Sequence, residues 1–182
     1  ILQNKKINLN KLSSKDLYYH ILYPQKKPTS TTTWNDIFQK HLDWGQIFDN
    51  KNLAIQDRKM INFHWKVLHR AVFTESKLQK MGKSNGICKI CSISEETICH
   101  LLYECNIIAN VWKSIKELIC DKCNFPCNIN KEVLFCNSND STFVHFVILE
   151  TKWQIWKTRN NVRYGNKVSK KTKENFELIL KE

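Results

Sequence analysis

The stretch Cys88-Lys89-Ile90-Cys91-Ser92-Ile93-Ser94-Glu95-Glu96-Thr97-Ile98-Cys99-His100-Leu101-Leu102-Tyr103-Glu104-Cys105 decides how this chain folds. Its skeleton is Cys88-x2-Cys91-x8-His100-x4-Cys105. Zinc takes four soft or borderline donors at tetrahedral positions, and a C-x-x-C turn brings two thiolates to one point. Gly86, just before the turn, eases the tight approach of the backbone. His100 and Cys105 stand five apart, a little over one helical turn, so the spacing lets both face the same ion. Glu95, Glu96 and Thr97 read as the polar start of that helix, with an acid near its positive end. Cys99 sits beside His100 and points about 100° away on a helix, so it is left out of the set. Four protein ligands leave no open position, which makes the site structural and not hydrolytic.

The other cysteines fit this picture. All eight lie between Cys88 and Cys136. Clustering with C-x-x-C spacing in a chain without a secretory signal favours metal over disulfides. Cys120, Cys123, Cys127 and Cys136 offer four more thiols, but their spacing matches no common ligand pattern. Packing as small apolar side chains at a helix end is the expected reading there, and one zinc ion is expected in all.

Working outward, the 182 residues suit one structural unit, with hydrophobic residues at 42% and charged residues at 25%. That composition supports a buried core. Only four Gly and three Pro occur, so an all-β fold with its many turns is not expected. Helical periodicity dominates, and the fold class is mostly α: a compact helical domain braced by the knuckle-like Cys-Cys-His-Cys site. Residues 1–33 read as a short helix from Leu12 to Leu22 and a polar linker from Tyr23 to Thr33. Residues 34–86 hold helices over Trp34–Leu42, Asn52–Phe73 and Glu75–Met81, the last stopped by Gly82. In Asn52–Phe73, Met60, His64, Val67, Leu68 and Ala71 fall on one face, widened by Phe63 and Trp65. Residues 87–120 carry the zinc segment and an amphipathic helix with Ile107, Ile108, Val111, Trp112, Ile115, Leu118 and Ile119. Residues 121–182 hold an ambiguous segment Asn128–Cys136, then a long helix from Ser141 to about Tyr164. Its apolar stripe is Val144, Ile148, Ile155 and Val162. Lys167–Lys173 is expected to be mobile, and Asn175–Leu180 to be a final turn.

Charge points to the partner. Lys and Arg number 29 against 17 Asp and Glu, a net +12 with pI near 9.3. Such an excess suits a polyanion. Lys152, Lys157, Arg159, Arg163 and Lys167 belong to a run that continues to Lys173 with no acid in it. With Trp156 and Asn160 adjacent, it suits phosphate contact and base stacking, although Trp153 and Trp156, aromatics at helical spacing, are expected to pack into the core. A second basic set includes Lys66, Arg70 and Lys89. No apolar run reaches the length of a membrane span, and no membrane partner or small-molecule substrate is expected. The first residues are no secretory signal, and the chain reads as a piece of a longer polypeptide.

Enzyme chemistry finds no support. No aromatic-x-Asp-Asp string or G-x-S-x-G elbow occurs. Asp140 with Glu150-Thr151-Lys152 resembles the acids and lysine of a PD-(D/E)xK nuclease. That chemistry needs carboxylates converging on a metal, usually from paired strands, and Glu150 lies in a helical pattern.

The wider pattern carries a resemblance. Trp34, Phe63-x-Trp65-Lys66-Val67-Leu68-His69-Arg70, Thr74, Leu78 and Gly82 precede the Cys88-x2-Cys91 turn. Glu96-Thr97, His100-Leu101-Leu102, Cys105 and Val111-Trp112 follow. Together they resemble the zinc-binding region C-terminal to the reverse transcriptase of non-LTR (LINE-type) retrotransposons. Leu12 to Tyr18 resembles the start of that region, and Ile155-Trp156-Lys157-x-Arg159-Asn160 its closing basic helix. The resemblance implies a non-catalytic domain that holds element RNA or target DNA during target-primed reverse transcription. It also implies the rest of the polyprotein as a partner, in a cytoplasmic ribonucleoprotein and in the nucleus. Related sequences also occur as domesticated derivatives, where a scaffold role without nucleic-acid contact is the alternative. The Lys-rich tail and Cys120 to Cys136 depart from the family pattern.

Overall fold

The computed structural model describes residues 13–15, 28–48, 57–122, 129–136 and 142–165. Among these, α1 is Thr29–Phe38, α2 Trp44–Phe48, α3 Arg58–Leu68 and α4 Glu75–Gln79. Then come α5 over Asn106–Glu117, α6 over Lys131–Cys136 and α7 over Thr142–Tyr164. Single π turns at His100–Glu104 and Leu118–Lys122 flank α5. No strand is present among the described residues, and one isolated antiparallel bridge joins Ile87 to Glu95. The expected helix at Leu12–Leu22 lies almost wholly outside the described residues, as do Lys167–Lys173 and Asn175–Leu180.

Helix α1 starts inside the stretch expected to be linker. Pro28 holds the cap position, and Thr31 returns both its N–H (2.9 Å) and its hydroxyl (2.7 Å) to the Pro28 carbonyl. Thr32 and Thr33 likewise donate to Thr29 O. These local bonds satisfy the three hydroxyls within the first turn. Trp34 then anchors the helix: it is fully buried and donates Nε1–H to Leu68 O at 2.8 Å. Gln39 adopts a left-handed conformation and ends α1 at Phe38, four residues short of the expected Leu42.

Helix α3 is shorter than the expected Asn52–Phe73. Asp57 caps it by accepting from Lys59 N–H at 2.7 Å, and Arg70 at φ +52 turns the chain out at its other end. Met60, Phe63, His64, Val67 and Leu68 are buried as the pattern requires, but Trp65 is 55% exposed. Gly82 at φ +69 closes the turn after α4, with Lys83 N–H bonding Leu78 O. The ambiguous Asn128–Cys136 segment contains α6, whose start is tied by Asn130 Oδ1 accepting from Val133 N–H. Val133, Leu134 and Phe135 of α6 are buried, with Phe135 against Trp34 at 4.9 Å between ring centroids.

The core draws on helices and turns from Trp34 to Ile155. Trp34, Phe63, Val67, Leu101, Ile108, Trp112, Phe135, Ile148 and Ile155 belong to one buried cluster. At roughly 1.5–3 kcal/mol per buried large side chain, this cluster dominates the favourable side of folding. Trp112 satisfies its indole N–H on Leu102 O at 2.8 Å, which locks α5 onto the turn before it. Val162, expected on the stripe of α7, is 47% exposed, because the buried part of that face ends at Arg159.

Candidate metal centre and the buried charges behind it

The backbone builds the metal turn from both sides. Cys88 N–H bonds Ser94 O at 2.9 Å, and Glu96 N–H bonds Gly86 O at 2.8 Å, closing a tight loop. Inside it, Ser92 N–H reaches Cys88 O at 2.9 Å and Ile90 N–H reaches Cys88 Sγ at 3.4 Å. Gly86 sits at φ +81, a left-handed conformation that favours glycine, and a Cβ there would have to displace the flexible end of the Gln79 side chain. Ser92 takes a left-handed conformation, φ +59, without being glycine.

The other two donors come from a π turn. Five residues apart on an α-helix means about 140° apart, too far round to share an ion. Here Cys105 N–H bonds His100 O at 2.9 Å, an i to i+5 bond that widens the turn and brings the two side chains to one side. Thr97 Oγ1 accepts from His100 N–H at 2.9 Å and fixes the start of that turn. The donor atoms of Cys88, Cys91, His100 and Cys105 all lie within 4.8 Å of one another. A zinc tetrahedron with thiolate bonds near 2.3 Å has edges of about 3.8 Å. Cys91 Sγ and His100 Nε2 stand 3.4 Å apart, which fits one such edge. Cys99 is buried and outside the quartet. Cys123 and Cys127 lie outside the described residues, as does the side chain of Cys136, and Cys120 is half-buried.

The thiols are polarised against one another. Burial pushes Cys88 up to about 12. Burial also pushes Cys105 up, together with the neighbouring Cys91. Burial acts on Cys91 in the same sense, but the backbone N–H groups of Ser94 and Ile93, with His100 and Cys88, outweigh it and hold it at about 6. Three sulfurs crowded around one point repel as thiolates, and a divalent cation removes that repulsion. Three thiols and one imidazole with no open position suit structural zinc.

The cations singled out in the sequence are placed differently from one another. Lys152 is 0% exposed: its Nζ donates to Leu134 O at 2.6 Å and lies 3.2 Å from His64 Nδ1. Arg159 is 1% exposed, with Nε on Glu96 Oε1 at 2.9 Å and Nη2 on Glu75 Oε1 at 2.6 Å. Arg163 is largely covered and pairs with Glu75 through Nη1. Arg70 lies over the Trp34 ring, 5.0 Å from its centroid. Trp156 is half-buried, stacked on Phe63 with Arg159 over its ring. Lys89 is part-covered, 3.8 Å from Glu75. The expectation that Lys152, Arg159 and Arg163 grip phosphate is therefore corrected: these charges tie elements together inside the protein. Lys66 is exposed, and Lys157 lies 5.8 Å from the Trp153 ring centroid. Lys167 lies outside the described residues. Glu150 projects from the middle of α7 next to Gln154. With Lys152 spent in the interior, the nuclease-like pairing has no built site among the described residues.

Sequence reasoning missed Glu75 and gave Glu96 only the place of a polar acid at a helix start. Both are fully buried. Glu96 accepts from Glu75 N–H at 2.9 Å and Lys89 N–H at 3.2 Å as well as from Arg159. Ser84 Oγ adds a bond to Glu75. Burial pushes the Glu75 carboxyl up, but Arg163, Ser84 and Arg159 together hold it below the usual range. The cluster thus clamps the end of α7 to the metal turn at Lys89 and Glu96. A signal did exist. Val144, Ile148, Lys152, Ile155 and Arg159 are spaced four, four, three and four apart, so the two cations stand in register with the apolar stripe.

This arrangement has a counterpart among known proteins. The family described as zinc-binding in reverse transcriptase matches residues 14–112, more than half of the chain, and the chain belongs to that family. The family is defined by zinc binding, not by catalysis. Searches of curated proteins and of solved structures found no significant match. No helix among the described residues is long and apolar enough to cross a membrane.

Proposed function

We propose that Cys88, Cys91, His100 and Cys105 hold one structural zinc ion, and that the braced domain binds nucleic acid. In this reading it is a non-catalytic part of a retrotransposon reverse transcriptase polyprotein. It holds element RNA or target DNA during target-primed reverse transcription, in a cytoplasmic ribonucleoprotein and in the nucleus. The observation that carries it is the distribution of charge. Arg159 and Arg163 are neutralised by Glu75 and Glu96, yet the chain keeps a net +12. Arg58, Lys59 and Lys66 on α3, Lys80 and Lys83 after α4, and Lys113 and Lys116 on α5 are all exposed. A surface of that sign attracts a polyanion over several ångströms and releases its counterions on binding.

The test is binding of the zinc-loaded chain to structured RNA and to duplex DNA at several salt concentrations. Log K falls against log salt with a slope of about 0.9 per duplex phosphate contacted and about 0.7 for a single strand. Tighter binding to RNA means the domain grips its transcript, and preference for duplex means it positions the target. No salt-dependent affinity for either sinks the reading.

A scaffold role toward the rest of the polyprotein is the second reading. It is favoured by an apolar groove between α5 and α7, lined by Val111, Ile115, Phe146 and Val147. An assembly that forms unchanged with nucleic acid removed supports it.

A further inference from the structure

We propose that a cavity between α3 and α7 is a slot for one unpaired nucleobase of an RNA or DNA strand. This rests on the nucleic-acid reading and makes it specific. The cavity has a volume of about 330 Å³. Its walls are the rings of Phe63, Phe73, Trp153 and Trp156, with Ala71 and Val72 between them. Lys59, Asn62 and Lys66 form the polar part of the lining, and no carboxylate among the described residues lines it.

Each part has a use in holding a base. Phe73 is 52% exposed, so its ring is open to a ligand. Phe63, itself buried, stacks with Trp156 and tilts against Trp153, both at 5.5 Å, and so backs the two half-buried tryptophan rings. Every nucleobase offers a π face to such a surface, so the contact tolerates any sequence. Lys59 and Lys66 lie two turns apart on one face of α3, about 10.5 Å along the axis. That lets them straddle the base and take the phosphates on either side of it. Asn62 stands between them and offers both a donor and an acceptor to a base edge. Two further cations lie beside the same rings: Lys77 Nζ is 5.5 Å from the Phe73 centroid, and Lys157 Nζ is 5.8 Å from that of Trp153. Aromatic walls inside a ring of lysines match the chemistry of a single strand: stacking for the base, positive charge for its backbone. A paired duplex keeps its bases stacked inside and cannot fill the slot.

The experiment uses the full zinc-loaded chain and equal-length oligo-uridine, oligo-thymidine, a duplex, and a fully abasic single strand, on which no neighbouring base can shift into the slot. Phe73→Ala is expected to weaken single-strand binding about 5- to 100-fold with an unchanged salt slope. Phe73→Trp is expected to keep the affinity, which separates lost stacking from lost folding. Lys66→Ala is expected to flatten the slope by about 0.7. Removing the bases should reproduce the Phe73→Ala loss, and should cost nothing further in that variant. The uridine and thymidine arms tell whether RNA or DNA is preferred. If Phe73→Ala and the abasic strand bind like their parents, or if duplex binds as tightly as single strand, the slot is wrong while the wider reading stands. If the parent chain binds no nucleic acid at all, both fall together.

Discussion

The metal turn and helix α7 both attract notice for their side chains, and they hold them by opposite means. Between Gly86 and Cys105 the four donors are set by local backbone: a tight loop, a left-handed residue and one π turn, all within twenty residues. On α7 the positions of Lys152 and Arg159 are set by partners far away in sequence. Lys152 meets Leu134 and His64, and Arg159 meets Glu75 and Glu96. A spacing rule finds the first kind of site. The second kind needs to know which face of the helix is covered, and the charge alone points the wrong way.

Breaking each region should therefore give different kinds of loss, and the largest belongs to the metal. Structural zinc in small domains contributes on the order of 10 kcal/mol, and its apo forms unfold. Chelation, or Cys105→Ser, is expected to abolish cooperative thermal unfolding as read by circular dichroism. Cys99→Ser, outside the quartet, is expected to keep it. A chelated chain that still melts cooperatively near the same temperature would mean that the core in which Trp34, Phe135 and Ile148 meet stands without its brace.

The next largest effect belongs to the buried cluster. Arg159→Met leaves Glu75 and Glu96 short of their main partner away from water, and removing one member of such a pair costs about 3–5 kcal/mol. Arg159→Lys should recover only part of this, since an ammonium cannot present the fork that reaches both acids. Denaturant melts with a zinc-affinity titration check it. The loss is expected to be nearly independent of salt, because a covered pair is little screened. A loss that disappears in 1 M salt would return Arg159 to the surface and to the phosphate role first expected for it.

These losses also measure what the sequence could show. The quartet, most of the α3 and α5 stripes and the extent of α7 are legible, because ligand spacing and a 3.6-residue period are local facts, but Trp65, Ile107 and Leu118, read onto those stripes, are exposed. His100 and Cys105 were assigned to one site correctly in space but through the wrong turn: an α-helix would have separated them, and the π turn does not. The start of α1 in the threonines was hidden, because β-branched residues after a proline read as extended chain until Trp34 has a place to bury. Glu75 and Glu96 were hidden more deeply. Each looks like an ordinary first-turn acid until α7 packs across it.

A smaller effect comes from a pair of histidines beside Lys152. Burial lowers His145 to about 4, with Lys152 adding to it, and burial holds His64 well below its ordinary value. Among the described residues, His145 Nε2 has no hydrogen-bond partner. The folded state thus keeps His145 neutral, while the unfolded chain takes a proton near pH 6.5. Unfolded protein binds more protons between those values, so this contribution is fully present above pH 6.5 and declines as pH falls toward 4. Its full size is on the order of 3 kcal/mol, of which part is lost by pH 5. Denaturant midpoints at pH 7 and pH 5 for the parent and His145→Leu test it. The variant is expected to show the shallower dependence, and parallel profiles would place the sensitivity elsewhere.

The smallest effect returns to the metal turn and tests how completely its geometry is local. Ser92 adopts φ +59 at the point where the chain turns back toward Ser94 and the Cys88 N–H. A left-handed conformation costs an L-residue roughly 1–2 kcal/mol, and glycine escapes that cost. Glycine also loses more freedom on folding, which takes back about 0.4–1 kcal/mol. Ser92→Gly should therefore stabilise the zinc-loaded chain by about 0.5–1 kcal/mol. The Ser92 side chain is exposed, so no packing is lost with it. The gain should be the same in the parent and in Arg159→Met, because sites without shared partners add. A gain that depends on Arg159 would show that the clamp at Glu96 bends the loop, and that the metal turn is no more self-sufficient than the helix behind it.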